Sequence, residues 1–275
     1  MEFEPKSFSS WPALHRATFN NEFQVVEQVF HPNLVNVQVT DRSDEWDEAT
    51  ALWIASSKGN EALVKFFLSR GADVNIATSN GSTPLHAASY HCHLEVANLL
   101  LANNANVNAT DKNGWTPLHE ASSKDHLEVA KLLLVHKANV NAANKYGRTA
   151  LHVASYRGHL EVAKLLLANN ANVNAANKGE WTPIHWAREN GQLDVAKLLF
   201  TNNANVNAVN EEGWTPLHLA SENGRLEVTK LLLANNADPT IRNVLNQTPF
   251  MLEAPWRPVE VGELYALMKA AAWYG

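Results

Sequence analysis

The chain has one cysteine, Cys92, in 275 residues. That excludes an intrachain disulfide framework, and with no second thiolate it excludes a cysteine-built zinc cluster as well. No apolar run is long enough to span a bilayer. The stretch Met1-Glu2-Phe3-Glu4-Pro5 lacks the basic start and apolar core of a secretory signal, so the default setting is cytoplasmic or nuclear. Lysine and arginine are nowhere clustered along the chain, which argues against nucleic acid as a partner and against electrostatic attachment to a membrane. There is no glycine-rich phosphate loop, no Gly-x-Ser-x-Gly elbow and no His-Glu-x-x-His, so neither an enzyme nor a cofactor site is expected.

Against these absences stands a folded composition, 45% hydrophobic, with 22 basic and 28 acidic residues for a formal charge of −6. Much of the imbalance lies in one place. From Asp41 to Glu48 five acidic residues face Arg42 alone, a local net of −4. This stretch reads as a solvated insertion around Trp46.

The dominant feature is a period. The phrase Asn113-Gly114-Trp115-Thr116-Pro117-Leu118-His119-Glu120-Ala121 recurs, with its leucine position held by Leu14, Leu52, Leu85, Leu118, Leu151, Ile184, Leu217 and Phe250. From Leu52 onward each step is 33 residues, and only the first differs, at 38. Such spacing marks a solenoid, whose units bury their apolar faces only by stacking.

Within one unit, Thr116 caps a helix that begins at Pro117, where no backbone donor is needed. The helix runs to about Lys124. A sharp turn follows at the position held by Asn21, Gly59, Cys92, Asp125, Gly158, Gly191 and Gly224. Cys92 fits this left-handed position least well, which predicts local strain or a shifted turn. A second helix from His126 to Leu134 places Leu127, Val129, Leu132 and Leu133 on its core face. It ends where the repeats read Asn33, Gly71, Asn104, Lys137, Asn170, Asn203 and Asn236, a left-handed cap position that accounts for the asparagine-rich phrases. An extended, turn-rich finger then leads to the next Thr-Pro.

Helix, tight turn, helix and finger at this period, with Thr-Pro-Leu-His-x-Ala in each unit, resemble the ankyrin repeat. The resemblance covers roughly residues 11 to 252, with the motif at 83–86, 116–119, 182–185 and 215–218 and a close variant at 149–152. It implies an all-α helical solenoid with short β-turn fingers and capping helices at both ends. The expected layout is one array: residues 1–47 an N-terminal capping repeat with an enlarged acidic finger, 48–245 six repeats, and 246–275 a C-terminal cap. In that last part a helix over about Val259 to Trp273 is expected to close the core through Leu264, Leu267, Met268 and Ala271. Departures gather at the ends, where Trp53 and Met251 hold the histidine position. Glu180 stands where the finger glycine is expected.

The twelve histidines are mostly periodic. His15, His86, His119, His152, His185 and His218 recur at the motif position, and the resemblance implies that they hydrogen-bond neighbouring fingers. His93, His126 and His159 follow the helix turn, leaving His31, His91 and His136 outside the pattern. A residue that recurs once per unit is structural before it is catalytic. His91, Cys92 and His93 offer a metal-binding alternative, disfavoured because three consecutive residues converge poorly on one ion. Ser122, Ser155 and Ser221 lie near motif histidines but occupy packing positions.

Positions where the units disagree are where a ligand could be recognised. They nominate Tyr90, His91, Trp115, Lys145, Tyr146, Arg148, Tyr156, Arg157, Trp181, Trp186 and Trp214, since large aromatics and arginine anchor interfaces. By resemblance they line one concave face. The expected protein is a non-enzymatic, monomeric scaffold for a protein or peptide partner, with lysine and arginine in the middle units giving way to Glu189, Glu211, Glu212 and Glu222. A ligand-free, consensus-like or engineered array is the alternative, permitted by the near identity of Asn103–Ala109 and Asn169–Ala175.

Overall fold

The computed structural model describes residues 8–40, 46–187 and 192–252. Its chain forms two compact units, Met1–Lys145 and Tyr146–Gly275. The first contains four helix pairs: α1 (Ala13–Phe19) with α2 (Phe23–Val29), α3 (Ala51–Ser57) with α4 (Glu61–Ser69), α5 (Pro84–Tyr90) with α6 (Leu94–Ala102), and α7 (Pro117–Ser123) with α8 (Leu127–Val135). The second contains α9 (Ala150–Arg157) with α10 (Leu160–Ala168), α11 (Pro183–Trp186) with α12 (Leu193–Thr201), and α13 (Pro216–Glu222) with α14 (Leu226–Ala234). A 3-10 turn over Pro249–Leu252 packs on α13. Among the described residues there are no strands, only an isolated bridge between Gln38 and Thr50. The expected closing helix over 259–273 lies outside the described residues.

The first helices α5, α7, α9, α11 and α13 start from a reciprocal cap, whereas α1 has no side-chain cap and α3 only the one-way bond from the Trp53 N–H to the Thr50 hydroxyl. In α5 the Thr83 hydroxyl accepts from the His86 backbone N–H, while the Thr83 N–H donates to His86 Nδ1 at 3.2 Å. Histidine here fills the role that glutamate usually plays in a capping box. Thr116–His119, Thr149–His152, Thr182–His185 and Thr215–His218 repeat the arrangement. Because Nδ1 accepts, the ring proton sits on Nε2. From His86 it reaches the Trp115 carbonyl at 3.0 Å, from His152 the Trp181 carbonyl, and from His218 the Gln247 carbonyl. His15, His86, His152, His185 and His218 therefore join their first helices to the following finger, as the family resemblance implies.

The turns obey the sequence closely. Cys92 adopts φ 63° in the left-handed turn, with Asp125 at 61° and Gly59 at 70°, so the turn at Cys92 is strained and not shifted. Asn104, Lys137, Asn170, Asn203 and Asn236 are left-handed after their second helices, but Asn33 is not, because a 3-10 turn over Pro32–Leu34 replaces the cap there. Glu180 takes the finger position with φ 60°. At Gly114 glycine relieves two constraints: φ is +77° and an added Cβ would lie 2.8 Å from the Lys145 nitrogen.

The core is built from recurring small and branched residues. Leu85, Ala88, Val96, Ala97 and Leu100 are buried in one repeat, and Leu118, Ala121, Val129, Ala130 and Leu133 in the next. Leu127 and Leu132, expected at the centre of that stripe, are only half-buried. Ser122, Ser155 and Ser221 are fully buried, as packing positions require.

Two further sets of bonds cross repeat boundaries. Asn108 Oδ1 accepts from the Asn139 N–H at 2.8 Å while its Nδ2 donates to the Lys137 carbonyl at 3.4 Å. Asn75 clamps Asn106 and Asn104 likewise, and in the second unit Asn174 and Asn207 do the same for their successors. The asparagine-rich phrases are thus inter-repeat clamps as well as caps. The turn histidines add the other set, with His93 Nε2 on the Ser57 carbonyl and His126 Nε2 on that of Tyr90.

The insertion near the N-terminus departs from expectation. Trp46 does not stand in solvent. It is half-buried against Trp11, Phe19 and Trp53, with ring centroids 5.8, 5.3 and 5.3 Å away. Aromatic burial outweighs the local acidity, and Asp41–Glu45 lie outside the described residues.

Candidate partner-binding surface

In the second unit the nominated residues converge. Trp186 leaves α11 half-buried, with Tyr156 of α9 edge-on at 5.3 Å and Trp181 of the finger at 5.1 Å. The Arg148 guanidinium lies 4.7 Å from the Trp186 ring centroid and 5.9 Å from that of Tyr146, a cation held over π faces. Tyr156 and Tyr146 remain 40% and 57% exposed, so the cluster presents aromatic surface outward. Arg157 is exposed above its own Tyr156 ring. Trp214 stands apart from these rings, half-buried beside His218 at 5.9 Å.

The first unit carries a looser set. Tyr90, 39% exposed at the end of α5, receives the Lys124 ammonium at 4.3 Å from its ring and meets His91 edge-on at 4.9 Å. Trp115 packs near His119, and its backbone serves the His86 ladder, so it has a structural task whatever it recognises. Lys145 is exposed at a finger tip. Glu120, absent from the nominated set, is half-buried on α7 where Ala87 stands in the preceding repeat. Burial, and secondarily the Asp111 charge, push its carboxyl up to about 7, with Lys124 opposing. A glutamate where another repeat has alanine was the available signal.

The metal-binding alternative finds no convergent geometry. The His91 and His93 rings lie stacked at 5.9 Å, and His93 Nε2 is spent on Ser57. Among the described residues no group of three or more His, Cys, Asp or Glu is placed to hold a metal ion. Nor is any described helix long and apolar enough to cross a membrane.

This geometry and the underlying period define a class: the chain belongs to the ankyrin repeat family, whose repeat model matches residues 14–111, 103–177 and 169–243. Among solved structures it is similar to the human ASB11 ankyrin repeat domain, at 29% identity and a TM-score of 0.73, over 80% of this chain and 98% of that one. Among curated proteins it is 60% identical over 37 residues to the ankyrin repeat protein FPV230 of fowlpox virus (strain NVSL), covering 14% of this chain and 20% of that protein. It is also 32% identical over 101 residues to the human SMC5-SMC6 complex localization factor protein 1, covering 36% of this chain and 9% of that one. The chain therefore spans only a minor part of the curated relatives it matches. The fold is an all-α ankyrin solenoid, and ankyrin repeats are in general protein–protein interaction modules.

Proposed function

We propose that this chain is a non-enzymatic scaffold that grips a partner protein or peptide through its fingers and first helices. The observation that carries the reading is the Tyr156–Trp186–Trp181 cluster with Arg148 over it. Rings locked against one another lose little freedom on binding, and aromatic and arginine side chains supply most interface energy. Tyr146, Arg157 and Trp214 extend this surface in the second unit; Tyr90, His91, Trp115 and Lys145 supply the candidates in the first. The lysine and arginine of these repeats, followed by Glu211, Glu212 and Glu222, suit a partner with charges of both signs.

Affinity capture from a cell extract tests the reading, comparing wild type with Tyr156→Ala/Trp186→Ala at matched circular dichroism. A specific partner held by wild type and lost by the variant upholds it. A partner indifferent to both residues moves binding elsewhere on the chain.

A further inference from the structure

Glu120 carries a charge that its place in the repeat does not call for. The same place, two residues after the motif leucine, holds Ile54, Ala87, Val153, Trp186 and Leu219 in the other repeats from Leu52 to Leu217. Ile54, Ala87, Val153 and Leu219 are buried there, and Glu120 is half-buried. A carboxylate at such a place loses water and needs donors in exchange. Among the described residues it has neither a hydrogen bond nor an ion pair. Lys124, one helical turn on, stands to Glu120 as Lys65 stands to Glu61, a pair that closes at 3.2 Å. Its ammonium is drawn instead over the Tyr90 ring, 4.3 Å from the centroid. The finger that leads into α7 adds a second carboxylate. Asp111 is fixed by the N–H groups of Asn113 and Trp115, 2.8 and 2.7 Å from its Oδ1, and its charge acts on Glu120. Trp115 ends the same finger, half-buried, with its ring 5.7 Å from that of His119.

We propose that the corner between this finger and α7, formed by Glu120 with Asp111 and Trp115, takes an arginine side chain of the partner. The inference rests on the protein-binding reading and names the chemistry of one contact. A guanidinium offers two parallel N–H donors to a carboxylate, sheds water more readily than an ammonium, and stacks on an indole face. It would supply the donors that the chain itself withholds from Glu120. A residue that costs stability and serves no local packing or capping need is where selection of a ligand is to be sought. The surrounding charges leave the corner acidic. The helices packed on α7 bring His86 and His91 from α5 and Glu128 and Lys131 from α8. Among the described residues the charges that act on the Glu120 carboxyl are those of Asp111 and, with opposite sign, Lys124.

The probe is N-acetylarginine methylamide, titrated into the isotope-labelled full chain at about pH 8 and about 0.05 M salt, where screening is weak. Nuclear magnetic resonance follows the Trp115 indole N–H and the backbone amides of Asp111, Glu120 and Ala121. Saturable shifts at these signals are expected, with the uncharged citrulline analogue inert and Glu120→Gln weaker by about tenfold. Glu120→Ala, which restores the residue of the preceding repeat, should show the same loss and gives the readout if the Gln variant does not fold. Only the ionised carboxylate pairs with a guanidinium, and burial holds the carboxyl up to about 7. Wild-type affinity should therefore fall about tenfold from pH 8 to pH 6, while that of the Gln variant stays level. Equal binding by wild type and the folded Glu120 variants overturns the proposal, as does equal binding of the arginine and citrulline probes. Calcium chloride that moves the same signals at the same concentration overturns it too, because the corner then has no preference for a guanidinium. A captured partner that needs Tyr156 and Trp186 but is held equally by Glu120→Gln sinks the arginine contact and leaves the scaffold reading intact. Arginine binding that depends on Glu120, in a chain that captures no partner, upholds the corner and sinks that reading.

Discussion

Replacing Glu120 with glutamine should stabilise the protein, and only above acidic pH. The carboxyl is half-buried on α7 and titrates near 7 instead of 4.5, chiefly from burial. Its folded pKa is raised, so the folded chain binds the proton more tightly than the unfolded one. The group is harmless below about 4.5, and stability is lost as pH rises through about 7. At about 1.4 kcal/mol per unit the shift sets a ceiling of roughly 3.4 kcal/mol at pH 8. Glutamine is itself polar and the site is partly wet, so about 1–2 kcal/mol of gain is expected. Urea unfolding of both proteins across this pH range, followed by circular dichroism and tryptophan fluorescence together, gives the difference directly. A gain present at pH 8 and absent at pH 4 is the expected result. A gain independent of pH, or a loss at pH 8, refutes the argument that burial of a charge is the cost.

Other perturbations follow the same logic. Burial holds His15 down to about 4, so between its unfolded value of 6.5 and that point acid should remove up to about 3 kcal/mol; His15→Gln should flatten this part of the stability–pH curve. Asn108→Ala removes both clamp bonds and should cost about 1–2 kcal/mol in denaturant unfolding, more than Asn103→Ala, whose Nδ2 bonds only within its own helix end. Cys92→Gly should raise stability by about 0.5–1 kcal/mol by relieving φ 63°, read as a higher urea midpoint. Gly114→Ala should cost more than about 1 kcal/mol, since both φ and the Lys145 backbone oppose a Cβ.

The fold was legible because its demands repeat. Thr116, Pro117 and Gly114 each solve a local backbone problem, and the same residues return wherever the problem does. Cys92, Lys137 and Glu180 show how strongly neighbours enforce the pattern, since each is held left-handed without being glycine or asparagine. What period could not reveal was contact across units. Trp46 reads as part of an acidic loop until Trp11, Phe19 and Trp53 are seen around it. Lys58 and Lys124 are unremarkable residues until the rings of Phe19 and Tyr90 are found beneath them. Of the nominated surface, the Tyr156–Trp186 contact joins residues thirty places apart, and only their departure from neighbouring repeats hinted at it.

The asparagine clamp has an evolutionary consequence. Asn75, Asn108, Asn174 and Asn207 each grip the repeat that follows at constant offsets of 31 and 29 residues. Donor and acceptor are therefore matched in the same way at each of these four junctions, much as identical couplings let wagons be exchanged along a train. Unequal crossing-over that removes or inserts one whole 33-residue period leaves couplings of this kind engaged, while a shift of a single residue disengages those on either side. Lineages carrying such a chain can lengthen or shorten it in whole steps, and the near-copy of Asn103–Ala109 at Asn169–Ala175 is the kind of trace such an exchange leaves.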